Sequence, residues 1–225
     1  NGSIRELLLR RVADADLLRR QAKDESVPQH ERDIALYTLL YKEVSRGRYA
    51  DFVKDVALIR ADAPVEGYAG GLSTTEAPPL GVFTQIQTLG DYGCGPLKET
   101  AAKLAKNPKA PKPLLCLADF MRANGFDQNL LDWQPEAHEL GGTKSLFKGA
   151  PYARFEVYKS LISSSKTPAE DKAYALYRAV RCYAPAQINS CGGEDVEQPQ
   201  RKAWFQQLKK RYPNSKWAKA LENYW

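Results

Sequence analysis

The chain has 225 residues, 43% hydrophobic and 27% charged, the balance of a soluble globular protein large enough to bury a core. Its 33 basic and 27 acidic residues leave a net charge of +6. No apolar run approaches the ~20 residues that cross a bilayer, so the composition excludes a transmembrane segment in this chain.

The first residues, NGSIRELLLRR, lack the long apolar stretch and small-residue cleavage site of a secretion signal. The chain starts without Met, which leaves room for an upstream signal removed on maturation. Ser3-Ile4-Arg5-Glu6 fits a capping box. Ile4, Leu7, Leu8, Ala15 and Leu18 make one helical stripe, which predicts a single helix ending near Gln21. Ser26 to Gln29 reads as a second capping signature, with Pro28 in the first turn. The helix that follows carries Ile34, Tyr37, Leu40, Tyr41 and Val44 toward a core, and Gly47 is its expected C-terminal cap. Another helix starts at once, with Tyr49, Phe52, Val53, Val56 and Ile59 on its inner face. A tight helix-Gly-helix unit of this kind is a helical hairpin.

Residues 61–95 break the pattern with GYAGG, EAPPLG and three prolines. Val82 to Ile86 alternates like a short extended segment. A connection this long is uncommon in a compact domain. The expectation is an ordered excursion over the helices, tied down at its end by Cys94. Helices are then predicted around Leu97, Ala101 and Leu104, and around Leu114, Leu117, Ala118 and Met121, the second ending at Asn124-Gly125. Asp127 is expected to cap a brief turn through Leu130 and Leu131 to Trp133. After an irregular stretch, Pro151 opens a helix with Tyr152, Phe155, Tyr158 and Ile162. Thr167-Pro168-Ala169-Glu170 is a third capping box, for a helix with Ala173, Leu176, Tyr177 and Val180 inside. In the last stretch, Trp204, Leu208 and Tyr212 share a helix face with Phe205 beside them, and Pro213 stops that helix. Asn214 is read as the N-cap of a final helix with Trp217, Leu221 and Tyr224. Roughly nine helices and no sheet predict an all-α fold in one domain, 1–225, with a long insertion at about 61–95.

Four cysteines are present, with no C-x-x-C pair and only two histidines, so a zinc site is not expected. Cys182 and Cys191 bracket a short loop, and a helical hairpin brings Cys94 near Cys116. Two local disulfides and an oxidising compartment follow. The alternative is four reduced thiols, some simply buried.

Charge is uneven. Seven basic residues and no acid lie between Arg201 and Lys219, and five lysines with only Glu99 lie between Lys98 and Lys112. Lys209, Lys210, Arg211 and Lys216 form the candidate partner surface, suited to an acidic partner or an anionic surface. A solvated helix face is the plain alternative. No nucleic-acid motif accompanies the charge, and nucleic acid is not an expected partner.

At the last helices, FQQLKKRYPNSKWAKAL is similar to the F-x-x-L-x-x-x-Y-P-x-S-x-x-A pattern of tetratricopeptide-like (TPR-like) repeats in bacterial envelope proteins. Outer-membrane assembly lipoproteins and periplasmic cell-division coordinators are among them. The matching residues are Phe205, Leu208, Tyr212, Pro213, Ser215 and Ala218. GRYADF (Gly47 to Phe52) resembles the turn and second helix of such a repeat. The resemblance implies an irregular TPR-like superhelix of antiparallel helix pairs, periplasmic or outer-membrane-associated, that recognises a protein or peptide. It carries over no catalytic residue, cofactor or metal, and the long interruptions break its period of ~34 residues.

The competing reading is an envelope enzyme or accessory domain acting on glycan or peptide. Its best candidate is Cys94 in YGCGP as a thiolate, His138 as its base, and Asp91 or Glu139 to orient the imidazole. A disulfide at Cys94 removes that pair. Glu139 alone as a glycan-cleaving acid is a further option. His138-Glu139 lacks the second histidine of a metalloprotease helix, and GYAGG lacks the Lys-Ser/Thr of a phosphate loop. His30 is expected to be an exposed polar residue.

Overall fold

Apolar residues at helical spacing lie between proline and glycine punctuation, and the backbone follows that punctuation. The computed structural model describes residues 2–65, 77–85, 92–128, 131 and 135–225. Among the described residues there are ten α-helices and no strand, so the fold is all-α. They are α1 (Gly2–Arg11), α2 (Ala15–Lys23), α3 (Gln29–Ser45), α4 (Tyr49–Asp55), α5 (Leu97–Lys106), α6 (Pro111–Ala123), α7 (Arg154–Ser163), α8 (Ala169–Arg181), α9 (Gln198–Arg211) and α10 (Lys216–Ala220).

The single helix expected up to Gln21 is two helices. Val12 and Ala13 amides both bond to the Leu8 carbonyl, which closes α1. Asp14 Oδ1 then accepts from the Leu17 amide at 2.7 Å and starts α2. The Ser3 side chain lies outside the described residues, and Glu6 pairs with Arg10. The capping boxes expected at Ser26 and Thr167 do not form. Pro28 and Pro168 occupy the N-cap position itself, near φ −53° and ψ 142° to 151°. Each proline carbonyl accepts the first helical bond, from Arg32 at 3.1 Å and Lys172 at 2.9 Å. Pro96 does the same for α5. Ser26 instead donates to Asp24, and Thr167 Oγ1 is buried without a partner. Gly47 does close α3: its φ is +77°, and the Arg48 amide reaches back to the Glu43 carbonyl at 2.8 Å.

Within the long connection, 66–76 and 86–91 lie outside the described residues, and GYAGG, Ile86 and Asp91 fall there. What lies between them is a 3₁₀ turn, Leu80–Phe83, in place of the predicted extended segment. The Gly81 amide bonds to the Pro64 carbonyl at 2.8 Å, and a Cβ on Gly81 would stand 2.6 Å from Val65 Cγ2, so the chain turns there on a glycine. That turn drives Phe83 into the core, ringed by Tyr37, Phe52, Phe120 and Phe126. The far end is pinned as expected: Cys94 is disulfide-bonded to Cys116, and Tyr92 stacks on Tyr174 and donates to Asp171 at 2.6 Å.

From α2 onward each helix packs on its successor, α1 packs on α3, and α8 also touches α6 and α10. The core falls into two clusters. The first takes in α1–α5 and the Phe83 turn, the second α7–α10. Helix α6 serves both, turning Leu117, Phe120 and Met121 to the first and Leu115, Cys116 and Ala118 to the second. The turn expected from Asp127 through Leu130 to Trp133 lies, Leu131 apart, outside the described residues; Asp127 itself is in the 3₁₀ turn Phe126–Gln128. Its carboxylate holds Arg154 in a two-point pair at 2.8 and 2.5 Å.

Candidate docking groove and cationic pocket

Three consecutive leucines, Leu7 to Leu9, cannot share one face of α1. Leu9 goes into the core, while Ile4 and Leu8 are left 40% and 39% exposed. The chain breaks at Asp14 and both α1 and α2 pack on α3, which leaves Leu17 41% exposed beside them. A groove of about 580 Å³ results, lined by Ile4, Leu8, Leu9, Val12, Leu17 and Leu146 together with Arg5, Ala13 and Gln21. Ligand clefts commonly measure ~300–1,000 Å³. Leu146, 62% exposed, closes one edge, held there by its amide bonding to the Val12 carbonyl at 2.8 Å. Seven large apolar side chains are exposed among the described residues, and four of them (Ile4, Leu8, Leu17 and Leu146) meet in this groove. Concentration of that kind marks a contact surface better than scattered exposure does. Gln21 also borders the groove, with its Nε2 enclosed by the protein and without a hydrogen-bond partner.

Leu146 borders a second cavity as well, of about 390 Å³, which Arg11, Arg46, Lys144 and Lys148 line. No acidic side chain is among the described residues of either lining. Arg46 anchors the wall, donating to the carbonyls of Phe147 at 2.8 Å and Gly149 at 3.2 Å. Phe147 is buried under Arg46 and Arg48, while Lys144, Leu146 and Lys148 on either side of it are exposed.

The residues singled out in the sequence sit elsewhere. Both cysteine pairs are disulfides, Cys94–Cys116 and Cys182–Cys191, each with Cα atoms 5.4 Å apart. Cys94 therefore offers no thiolate to His138. His138 is exposed, and the exposed Glu139 accepts from the Glu136 amide at 3.2 Å. His30 is half-buried, not exposed, with Nε2 enclosed and unpartnered. Among the described residues no group of three or more His, Cys, Asp or Glu is placed to hold a metal. On the terminal helices Lys210, Arg211 and Lys216 are exposed, Lys216 with its Nζ 4.6 Å above the Trp217 ring. Lys209 is engaged inside the fold: it donates to the Ala218 carbonyl at 2.6 Å and lies over Phe205, clipping α9 to α10. Asn214 is not the cap of α10, since Ser215 Oγ accepts from the Ala218 amide at 3.1 Å. Helix α10 stops at Ala220, and Tyr224 and Trp225 follow it outside the helix; Arg201 donates to the Trp225 carbonyl at 2.7 Å.

The groove was missed because the Leu7–Leu9 run reads as part of one core stripe when the break at Asp14 is overlooked. The surplus of apolar residues over one face was its signal. No family model, curated protein or solved structure matches this chain.

Proposed function

We propose that this is a non-catalytic binding protein of the bacterial cell envelope, built as an irregular TPR-like stack, which takes an apolar segment of a partner protein into the α1–α2 groove. The observation that carries this reading is the gathering of Ile4, Leu8, Leu17 and Leu146 around one groove. The two disulfides fit an oxidising compartment outside the cytoplasm. The packing of each helix from α2 onward on its successor, together with the Tyr212-Pro213-Asn214-Ser215 corner, supports the TPR-like assignment. The exposed Lys210, Arg211 and Lys216 serve as a second, charge-steered contact.

A leucine-rich amphipathic peptide of about fifteen residues, followed by fluorescence anisotropy, tests the groove. Leu8→Asp with Leu17→Asp should raise Kd at least tenfold while the circular dichroism spectrum stays unchanged. Equal affinity of wild type and this variant would remove the groove from the proposal.

A further inference from the structure

Away from the groove, a cavity of about 450 Å³ lies between α9 and the chain that follows α10. Gln198 and Phe205, seven residues apart, share one face of α9. Tyr224 and Trp225 line the cavity from beyond α10, and Gln187 comes from the loop that the Cys182–Cys191 bond closes. We propose that this cavity is a glycan-binding site, which takes a neutral oligosaccharide of gluco-configured sugars. The proposal goes beyond the peptide-binding reading and does not rest on it.

Three observations carry it. First, the apolar part of the lining is aromatic only: Phe205, Tyr224 and Trp225. In the α1–α2 groove the apolar part is wholly aliphatic. An aromatic face carries negative charge density. The C–H bonds on the flat face of a glucose-type ring are polarised positive by the oxygens on their carbons, so they suit that face better than a leucine methyl does. Second, the rest of the lining is Gln187, Gln198, Asn223 and Glu222, all exposed. Among the described residues none of these four side chains has a hydrogen-bond partner. A side-chain amide both donates and accepts, as a sugar hydroxyl requires. Third, the site is held before a ligand arrives. Lys209 lies over Phe205, Lys202 over Tyr224 and Arg181 over Trp225, and none of these cations lines the cavity. The buried Arg201 donates to the Trp225 carbonyl at 2.7 Å and to the Val196 carbonyl at 2.8 Å. Gln187 is kept at φ +63°, its amide bonded to the Tyr183 carbonyl at 2.8 Å. Side chains held in that region concentrate at ligand sites, and a site fixed in this way loses little freedom on binding. The same cations decide the charge of the ligand. An ammonium group, the other common guest of aromatic rings, would meet three positive charges already on those rings. An anion would meet Glu222 and the negative ring faces.

Isothermal titration calorimetry of the full chain with cellotetraose, chitotetraose, choline chloride and the leucine-rich peptide makes the test. At least one tetrasaccharide should bind at millimolar concentration or below, and choline should not. Trp225→Ala should weaken that binding about tenfold, the worth of one stacked ring. Gln198→Ala with Asn223→Ala should weaken it severalfold; both positions are exposed, so this variant carries the test if Trp225→Ala does not fold. The Leu8→Asp, Leu17→Asp variant should bind the sugar as wild type does. Failure of both tetrasaccharides to bind, or binding that folded Trp225→Ala and the Gln198→Ala, Asn223→Ala variant leave unchanged, overturns the glycan site and leaves the groove reading standing. Choline binding that Trp225→Ala abolishes overturns it in favour of a cationic ligand. Peptide binding that is lost in Trp225→Ala and kept in the Leu8→Asp, Leu17→Asp variant gives the cavity to a peptide and overturns both proposals.

Discussion

Replacing Glu43 by glutamine should stabilise the protein already near pH 6, and by about 2.7 kcal/mol more near pH 8. Glu43 lies on α3 with no exposed surface, facing Arg19 of α2 and Asp55 of α4. Arg19 bridges the two carboxyls, 3.0 Å from Glu43 Oε1 and 2.8 Å from Asp55 Oδ2. No donor reaches Glu43 Oε2. Burial disfavours the charge on Glu43, and a proton there also hydrogen-bonds it to Asp55; together these outweigh Arg19 and push Glu43 up to about 9. In the unfolded chain it returns to an ordinary value of 4.5. Between those values the folded state holds one proton more than the unfolded state. Stability is therefore highest below the unfolded value and is lost as pH rises toward the folded one, by about 1.36 kcal/mol per pH unit. From about pH 6 to about pH 8 the Glu43 share of that loss is about 2.7 kcal/mol. The glutamine side chain of the Glu43→Gln variant would keep an amide donor for Asp55 and an oxygen for Arg19, and it cannot ionise. Urea unfolding followed by circular dichroism at the two pH values gives the wild-type minus variant difference directly. A difference that stays constant within about 0.5 kcal/mol would mean that Glu43 is ionised in the folded protein, and the reasoning from burial would be refuted.

Phe83→Ala should cost about 3–5 kcal/mol in the same assay, because its ring is fully buried with four aromatic neighbours and nothing else can fill the space. Ser215→Ala should cost about 1 kcal/mol through the lost cap of α10, whereas Asn214→Ala should be close to neutral; the reverse order would return the cap to Asn214. Removing the Cys182–Cys191 bond, whose partners are 9 residues apart, should cost about 2.6 kcal/mol, and removing Cys94–Cys116, 22 apart, about 3.4 kcal/mol. Thiol titration of the unfolded, unreduced protein should find no free cysteine.

Helix positions were legible because apolar period and breakers agree over most of the chain. Leu97, Ala101 and Leu104 are buried as their spacing predicts, and so are Phe155, Tyr158 and Val180. The break at Asp14 was not legible from period alone. Leu8, Ala15 and Leu18 keep helical spacing across it, and only the competition of the Asp14 carboxylate for the Leu17 amide ends the helix. The prolines misled by one position: ψ near 150° lets the proline carbonyl start the helix, so no preceding Ser or Thr is needed. The disulfides were readable as short-range pairs. The cationic pocket was not, because Arg11 and Arg46 meet Lys144 and Lys148 only in space. Clustering along the sequence drew attention to Lys209, which the fold spends on the Ala218 carbonyl.

The two core clusters bear on whether the chain unfolds as one unit. All four cysteines belong to the second cluster or pack against it, while the groove is built on the first. If the clusters were independent, reduction would weaken the tryptophan-rich half and leave the groove untouched. Helix α6 argues otherwise. Losing the second cluster strips cover from Leu115, Cys116 and Ala118, and an unsupported α6 can no longer present Leu117, Phe120 and Met121 to the first. A 13-residue helix without tertiary packing is marginal in water. Reduction should therefore move the urea midpoint seen by tryptophan fluorescence and the midpoint seen by loss of groove-bound peptide together. Separate midpoints would show that α6 does not couple the halves.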